Sequence, residues 1–355
     1  MIKVKPIQIS GRRIAPDSPP YIIAELSANH HGRLETALQL VEEARNAGAD
    51  AVKLQTYRPD TITLNCSTED FQIHGGLWDG RTLYDLYSEA HMPWEWHKPI
   101  FERARELGIT VFSSPFDNTA VDLLESLDAP AYKIASFEAI DLPLIRYAAS
   151  TKKPIIISTG MADAEEIRQA IDSARAAGCQ EVAILHCVSG YPAQAAEYKL
   201  RTIPDMIERF GVVTGLSDHT IDNTTAIASI SLGASLVEKH FTLDRRGGGP
   251  DDSFSLEPRE LAHLCEACRT AWSALGEVDY GRKPSESANV KFRRSLYFVK
   301  NLPKGALITS DSVRSVRPGF GLPPSELDRI VGRRASREIF ENTPVAWDAI
   351  ENSTG

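Results

Sequence analysis

The chain has 355 residues, a formal net charge of −9 at pH 7 and a charged-residue content of 25%. This acidic balance excludes the basic surface on which nucleic-acid binding depends, and it predicts that any anionic ligand is held by local lysines. No run of 18 apolar residues occurs, and the start Met1–Lys5 lacks the apolar core of a signal peptide, so we expect a cytoplasmic protein without a membrane partner.

Eight short apolar segments recur along the chain, and each ends in residues that can perform acid, base, phosphate or metal chemistry. The segments end at Glu25, Gln55, Ser114, Ser136, Gly160, Cys187, His219 and His240. Amphipathic helical stretches separate most of them and include residues 34–47, 164–177 and 258–275. Eight alternations of buried parallel strand and helix predict an α/β fold, the (β/α)8 TIM barrel, with its active site at the C-terminal ends of the strands.

The longest predicted connection is residues 57–92, between the second strand and its helix. It contains Trp78, Tyr84 and Tyr87. A connection of this length is usually a lid or a binding loop. The alternative is an insertion whose aromatic side chains pack against the rim of the barrel.

The five cysteines, an odd number without a regular framework, indicate a reducing compartment. Cys265 and Cys268 form a CxxC pattern inside the helical stretch 257–275. Residues three apart lie on one face of a helix, so we expect two small buried side chains there and not a redox or zinc site.

The chain changes character after this helix. The segment Gly281–Ala288 is polar and contains Gly and Pro, which is typical of a linker. Short strand-like runs then alternate with frequent turns. We therefore predict a barrel domain at 1–284, a linker at 285–294 and a second domain at 295–355, close to the lower size limit for independent stability.

His219 and His240 end the seventh and eighth predicted strands. Neighbouring strands lie about 4.8 Å apart, so the two imidazoles can converge on one ion. A lone barrel histidine is usually structural, but two at adjacent strand ends predict a metal site. Two imidazoles with the remaining positions open to oxygen suit Mn²⁺, Co²⁺ or Mg²⁺ better than a closed zinc site.

Cationic and hydroxyl side chains also gather at the predicted strand ends. Lys53 and Lys133 end strands two and four, where the alternative role is a surface ion pair. Glu25 ends the first strand, and an unpaired carboxylate there would be costly, so we expect it to pair with one of these lysines or to transfer protons. Hydroxyl groups follow strands four, five and seven at Ser136, Ser158 and Ser217.

Seven segments, in order along nearly the whole chain, resemble the sialic acid synthase (NeuB-like) family. They are Ala24–His30, Val52–Thr56, Tyr132–Ser136, Leu216–Thr220, Glu238–Thr242, Gly249–Asp251 and Arg317–Gly319. The resemblance implies a TIM barrel followed by a small antifreeze-like domain (SAF, a β-clip fold). It also implies a domain-swapped homodimer in which the tail of each chain caps the barrel of the other.

Three segments resemble one branch of this family most closely, and they are Leu26–Ala28, Gly76–Tyr84 and Pro250–Ser255. Members of that branch condense phosphoenolpyruvate with a diacetamido deoxy sugar, 2,4-diacetamido-2,4,6-trideoxy-L-altrose. The branches that make N-acetylneuraminate or legionaminate are the near alternatives.

The resemblance also implies roles for individual residues. His219 and His240 hold the divalent ion, which polarises the sugar aldehyde and positions the attacking water. Lys133 and the three serines contact the phosphate, Lys53 binds nearby, and Glu25 transfers a proton as the tetrahedral intermediate collapses. The enolpyruvate C3 attacks the aldehyde, water adds at the resulting cationic carbon, and phosphate leaves with carbon–oxygen cleavage.

The sugar has its own candidate residues. Tyr191 and Asp251 match family residues near the sugar, and Gln55 is a further substrate-binding candidate. Arg317 lies in the tail and matches a residue that reaches the N-acetyl group in the site of a partner subunit. The alternative for Arg317 is a solvated surface cation.

Two other classes of protein are compatible with parts of this pattern. A metal-dependent aldolase or hydrolase could use two histidines in a barrel, but it would not need lysines and serines arranged for phosphate. A glycan-binding protein could use the antifreeze-like module with the barrel as a scaffold. Eight functionalised strand ends argue against that second class.

Overall fold

The computed structural model describes residues 4–351. The first three residues of the start discussed above and the last four residues of the predicted second domain lie outside this range. The chain divides into two compact units, Met1–Gly276 and Glu277–Gly355. Within residues 4–351 no helix is both long enough and apolar enough to cross a membrane.

The first unit contains a closed barrel of eight parallel strands, as the sequence predicts. An antiparallel hairpin of β1 (Ile7–Ile9) and β2 (Arg12–Ile14) precedes it. The barrel strands are β3 Tyr21–Glu25, β4 Ala51–Thr56, β5 Thr110–Pro115, β6 Tyr132–Ile134, β7 Ile155–Ser158, β8 Val182–Cys187, β9 Val213–Asp218 and β10 Leu236–His240. β10 pairs with β3, with His240 opposite Glu25, and this pairing closes the barrel.

Helices cover the outside of the barrel. In this unit they are α1 Leu34–Asn46, α2 Pro59–Ile62, α3 Leu83–Ala90, α4 Trp94–Leu107, α5 Asn118–Ser126, α6 Leu142–Ser150, α7 Ala164–Ala176, α8 Thr202–Phe210, α9 Thr224–Ser231 and α10 Pro258–Leu275. Their apolar faces pack on the outward residues of the strands, for example Leu40 and Ile171 with Val52 and Ile184 in one buried cluster. This packing is why the 3.6-residue periodicity identified the helices correctly.

A second apolar cluster fills the lower part of the barrel. Ile7, Ile9 and Ile14 of the hairpin pack with inward residues of the strands, which include Phe112 and Leu185. The hairpin therefore closes the N-terminal end with aliphatic side chains. The polar side chains of the barrel interior therefore lie toward the C-terminal ends of the strands.

Residues 57–92 are not a featureless loop. They contain α2, two short 3-10 helices and α3, which Thr82 caps by accepting a hydrogen bond from the Asp85 N–H. Cys265 and Cys268 are buried on α10 as free thiols, which confirms that they are two small buried side chains.

The second unit has its own small core. β11 (Ser295–Phe298) pairs antiparallel with β12 (Val313–Val316), and a short helix α11 follows at Leu327–Ile330. Buried side chains, among them Leu296 and Ile330, form its apolar cluster. Much of the segment predicted as a linker is a 3-10 helix, Pro284–Phe292, because Pro284 sets the first helical φ and Glu286 accepts a hydrogen bond from the Lys283 N–H.

Candidate active site

A cavity of about 430 Å³ opens at the C-terminal ends of the barrel strands. Ten of the twelve residues selected from the sequence line it: Lys53, Gln55, Lys133, Ser136, Ser158, Tyr191, Ser217, His219, His240 and Asp251. Glu25 lies next to them and accepts a hydrogen bond from Gln55. The structure therefore brings all the barrel candidates together, and Arg317 alone lies in the other unit.

Alternation along the strands explains this convergence. Successive side chains of a strand point to opposite faces, so residues two apart point the same way. Lys53 with Gln55 on β4, and Glu238 with His240 on β10, both line the cavity. Ser217 near the end of β9 and His219 just beyond it form a third such pair.

The cations of the site are already paired with carboxylates. Lys53 Nζ lies 2.9 Å from Glu25 Oε2 and 2.9 Å from Glu238 Oε1. Lys133 Nζ lies 3.4 Å from the same Glu238 oxygen. Glu25 thus pairs with Lys53 and not with Lys133. Sequence reasoning missed Glu238, although its place two residues before His240 on a predicted strand was a signal that it faces the cavity.

Burial shapes the titration of this cluster. It lowers the pKa of Lys53 to about 8, an effect that the charge of Glu238 opposes. For Glu238 burial disfavours the ionised form, but the ammonium groups of Lys133 and Lys53 outweigh burial and hold its pKa below the usual range. Two lysines and two glutamates form a compact cluster in which the formal charges cancel.

The two histidines are neutral, and a backbone hydrogen bond defines the orientation of the His219 ring. Their ring centroids are 5.4 Å apart. The carbonyl oxygen of Val188 lies 2.8 Å from His219 Nδ1, and since a carbonyl only accepts, Nδ1 carries the proton and Nε2 the lone pair. Burial lowers the pKa of His219 to about 4 and that of His240 well below its usual value.

These residues fit a divalent ion held by few protein ligands. Nδ1 of His240 is buried, forms no hydrogen bond with any described residue and lies 3.8 Å from Asp251 Oδ2. Among residues 4–351 no group of three or more His, Cys, Asp or Glu side chains converges as a complete metal site. Two imidazoles with open positions match the predicted site better than a closed structural zinc centre does.

A buried ion pair outside the cavity connects the two backbone segments that carry His219 and His240. Lys239 points away from the cavity, and its Nζ lies 3.0 Å from Asp218 Oδ2. It also donates to the carbonyl oxygens of Thr220, at 2.7 Å, and Asp222, at 2.6 Å. The turn that follows β9 and carries His219 is thereby tied to β10.

Aromatic side chains form one wall of the cavity. The ring of Tyr191 lies 4.3 Å from that of His219 and 6.0 Å from that of Trp78, measured between centroids. Trp78 Nε1 donates to the carbonyl oxygen of Pro250 at 3.2 Å. Segment 57–92 thus lines the cavity, which favours a binding loop over a packed insertion. Tyr84 is an exception, since it is partly exposed and donates to Asp60.

The predicted phosphate hydroxyls have few partners within the protein. Ser158 Oγ is buried and forms no hydrogen bond with the described residues. Among the described residues, Ser136 Oγ forms a hydrogen bond with the Cys187 sulfur alone, at 3.4 Å. Sequence reasoning also missed Glu138, whose pKa burial raises to about 7 and which lines the same cavity. Unpartnered polar atoms of this kind are suited to a polar ligand.

Arg317 follows β12 in the second unit and is exposed. Its side chain forms no ion pair or hydrogen bond with the part of the chain that the structure describes. Its predicted role in a partner subunit stays a prediction.

Comparison with known proteins agrees with the resemblance of the seven segments. Residues 40–280 match the NeuB family, and residues 293–351 match the SAF domain. The chain is 43% identical to pseudaminic acid synthase of Helicobacter pylori over 94% of this chain and 99% of that protein. It is 36% identical to N,N'-diacetyllegionaminic acid synthase of Legionella pneumophila over 93% of this chain and 94% of that one.

A solved structure shares the fold. The N-acetylneuraminic acid synthetase of Leptospira borgpetersenii, crystallised with citrate, superimposes with a TM-score of 0.72 at 28% identity. The match covers 82% of this chain and 96% of that one.

Proposed function

The chain belongs to the NeuB family of sialic acid synthases, and from this premise we propose that it makes pseudaminic acid. It condenses phosphoenolpyruvate with 2,4-diacetamido-2,4,6-trideoxy-L-altrose and water, and it releases phosphate. Its higher identity to a pseudaminic acid synthase than to a legionaminic acid synthase supports this sugar over the alternatives. Because phosphoenolpyruvate is a cytoplasmic metabolite, we place the reaction in the cytoplasm.

The observation that carries this proposal is the composition of a single cavity. Two neutral histidines, the ion-paired side chains of Lys53, Lys133 and Glu238, and three serine hydroxyls all line it. A metal-dependent aldolase or hydrolase would account for the histidines but not for the lysines and serines. A synthase that brings an aldehyde and an anionic enol phosphate together accounts for every group.

We assign the phosphate of phosphoenolpyruvate to Lys133 and to three serines, Ser136, Ser158 and Ser217. The cluster of Lys53, Lys133, Glu25 and Glu238 has no formal net charge, so these residues alone do not neutralise an anionic substrate. His219 and His240 would hold a divalent cation nearby, and that ion would supply the missing positive charge. This balance supports a metal-dependent transferase.

His219 and His240 would hold that ion, and Mn²⁺, Co²⁺ or Mg²⁺ suits two imidazoles and oxygen ligands. When bound, the ion acts as a Lewis acid that polarises the aldehyde of the sugar and orients water. The protein contributes the orientation of the His219 ring, because Val188 fixes its tautomer and Tyr191 packs against it.

Glu25 is assigned to proton transfer. Its Oε1 accepts hydrogen bonds from the Ser27 N–H at 3.0 Å and from Gln55 Nε2 at 3.1 Å, while Oε2 pairs with Lys53. Two hydrogen bonds and one ion pair hold the carboxyl group in place, and it can accept a proton from the intermediate as it collapses. Bond formation between the enolpyruvate C3 and the aldehyde carbon, followed by water addition, releases phosphate by carbon–oxygen cleavage.

Gln55, Tyr191 and Asp251 are assigned to the sugar within one chain, and Arg317 completes the sugar site from a partner subunit. Charge supports this homodimer. Residues 277–355 carry 13 Lys or Arg and 10 Asp or Glu, so the tail is positive, whereas the rest of the chain is strongly acidic. A cationic tail of one chain complements the acidic barrel of another.

A product assay tests the proposal. The purified protein is incubated with phosphoenolpyruvate and Mn²⁺ and, in parallel, with the diacetamido altrose, the diacetamido sugar that leads to legionaminate, or N-acetylmannosamine. We expect the mass of pseudaminic acid and one equivalent of phosphate with the first sugar, and little product with the others. Preferential turnover of another sugar would reassign the substrate, and phosphate release without any sugar would indicate a hydrolase.

A further inference from the structure

Ser27 lies at a strained point of the cavity wall. It lies two residues beyond the end of β3, lines the cavity and is 4% exposed. Its φ is 43°, in the left-handed region that a residue with a side chain rarely adopts. Glycine would take this conformation without cost, so retaining a serine here calls for a use of its hydroxyl group.

The hydroxyl group connects two residues of the proposed sugar site. It donates to Asp251 Oδ2 in a short hydrogen bond across 224 positions of the chain. Gln55 Nε2 donates to the same hydroxyl oxygen at 3.0 Å. Because a carboxylate only accepts, the hydroxyl group donates its one hydrogen to Asp251 and accepts a hydrogen bond from Gln55.

This arrangement determines which way the Gln55 amide faces. Both of its contacts, Glu25 Oε1 at 3.1 Å and Ser27 Oγ at 3.0 Å, require the nitrogen on that side. The amide oxygen is therefore on the opposite side, where none of the described residues donates to it. Gln55 offers an acceptor to the cavity, and the carboxyl group of Asp251 offers acceptor oxygens in the same wall.

We propose that Ser27 is a positioning residue that sets the sugar specificity of this site by orienting Gln55 and Asp251 as paired hydrogen-bond acceptors. The ligand they recognise is a sugar rich in N–H and O–H donors, and a sugar with two acetamido groups has two amide N–H groups to offer. The inference rests on the proposed function, since it concerns the sugar half of that reaction.

Full-length Ser27→Ala and Ser27→Gly variants test the assignment. Loss of one hydrogen bond predicts a roughly 3- to 10-fold rise in the KM for the diacetamido sugar, with the KM for phosphoenolpyruvate changed less than about 2-fold. The preference for the diacetamido sugar over N-acetylmannosamine, measured as a ratio of kcat/KM, should fall. Ser27→Gly should melt at a temperature equal to or above that of Ser27→Ala, because both variants lose the hydroxyl group but only glycine relieves the left-handed strain.

Two controls separate positioning from a general effect. Ser235 lies just before β10, at the end away from the cavity, and its buried hydroxyl group forms no hydrogen bond with the described residues. Ser235→Ala should therefore change neither KM. If Ser27 acts through Gln55, the effect of Ser27→Ala on the sugar KM should be largely absent in a Gln55→Ala background.

The outcomes are distinct. An unchanged sugar KM, equal changes in both KM values, or full additivity with Gln55→Ala would overturn the role of Ser27. If the wild-type protein uses a different one of the three sugars, the proposed substrate is wrong. The same variants are then compared on that sugar, and an unchanged KM there refutes Ser27 independently.

Discussion

Removal of the Lys133 charge should damage the use of one substrate far more than the other. Lys133 is buried in the middle of the short strand β6, and its Nζ shares Glu238 with Lys53. A lost charge-assisted contact costs about 1.5–3 kcal/mol, which corresponds to a 10- to 150-fold rise in the KM for phosphoenolpyruvate. The loss also leaves the cluster with one excess negative charge, so we expect the upper half of that range.

The assay is the initial rate of phosphate release, with phosphoenolpyruvate varied at saturating sugar and the reverse. Lys133→Met is the preferred variant because it keeps the apolar stem, and Lys133→Ala measures the added cost of a cavity. Lys153→Ala removes a lysine that pairs with Glu125 on the outside of the barrel and should alter neither KM. Equal effects on both substrates in a folded Lys133 variant would refute the anion-site assignment.

Three further predictions follow from the same structure. His219→Ala and His240→Ala should each abolish metal-dependent turnover and weaken Mn²⁺ binding in calorimetry; full activity of EDTA-treated wild type without added metal would contradict this. Co-expressed Arg317→Ala and Glu25→Ala chains should regain activity, because a swapped heterodimer contains one site without either substitution. If verified heterodimers remain inactive, Arg317 does not act in the site of the partner subunit. Burial lowers the pKa of His97 to about 4, so the unfolded chain binds a proton that the folded chain does not between pH 6.5 and 4. The free energy of unfolding should therefore fall with decreasing pH by up to about 1.4 kcal/mol per pH unit from this group. In urea titrations at several pH values, His97→Gln should show a smaller dependence of the unfolding free energy on pH than the wild type. An unchanged dependence would show that His97 is not the group responsible.

Local patterns were sufficient for the elements of the barrel. The eight strand ends and the helices at 34–46, 164–176 and 258–275 lie within two residues of the predicted positions, because each depends on which residues of a short segment face apolar surroundings. The same alternation correctly oriented Lys53, Lys133 and His240 into one cavity. The N-terminal hairpin escaped prediction, since three-residue strands carry too little pattern.

Glu238 shows where sequence reasoning ended. Alternation places it on the inner face of β10, but its choice of partners depends on the stagger between strands that are far apart in the chain. Lys53 is 185 positions away, and the two meet because β10 and β4 both flank β3 in the closed barrel. As a consequence, carboxylates already neutralise the two lysines before any substrate binds. The cluster therefore cannot by itself balance the charge of an anionic substrate.

The sequence by itself determined the strands, the helices, the inward faces and the family, since these follow from local periodicity and from short motifs in order. Only the tertiary structure decided that Glu25 and Glu238 share Lys53, and that Ser27 joins Gln55 to Asp251. Those contacts join residues from different strands and loops. Barrel closure and stagger set their distances, and no pattern within one segment encodes either.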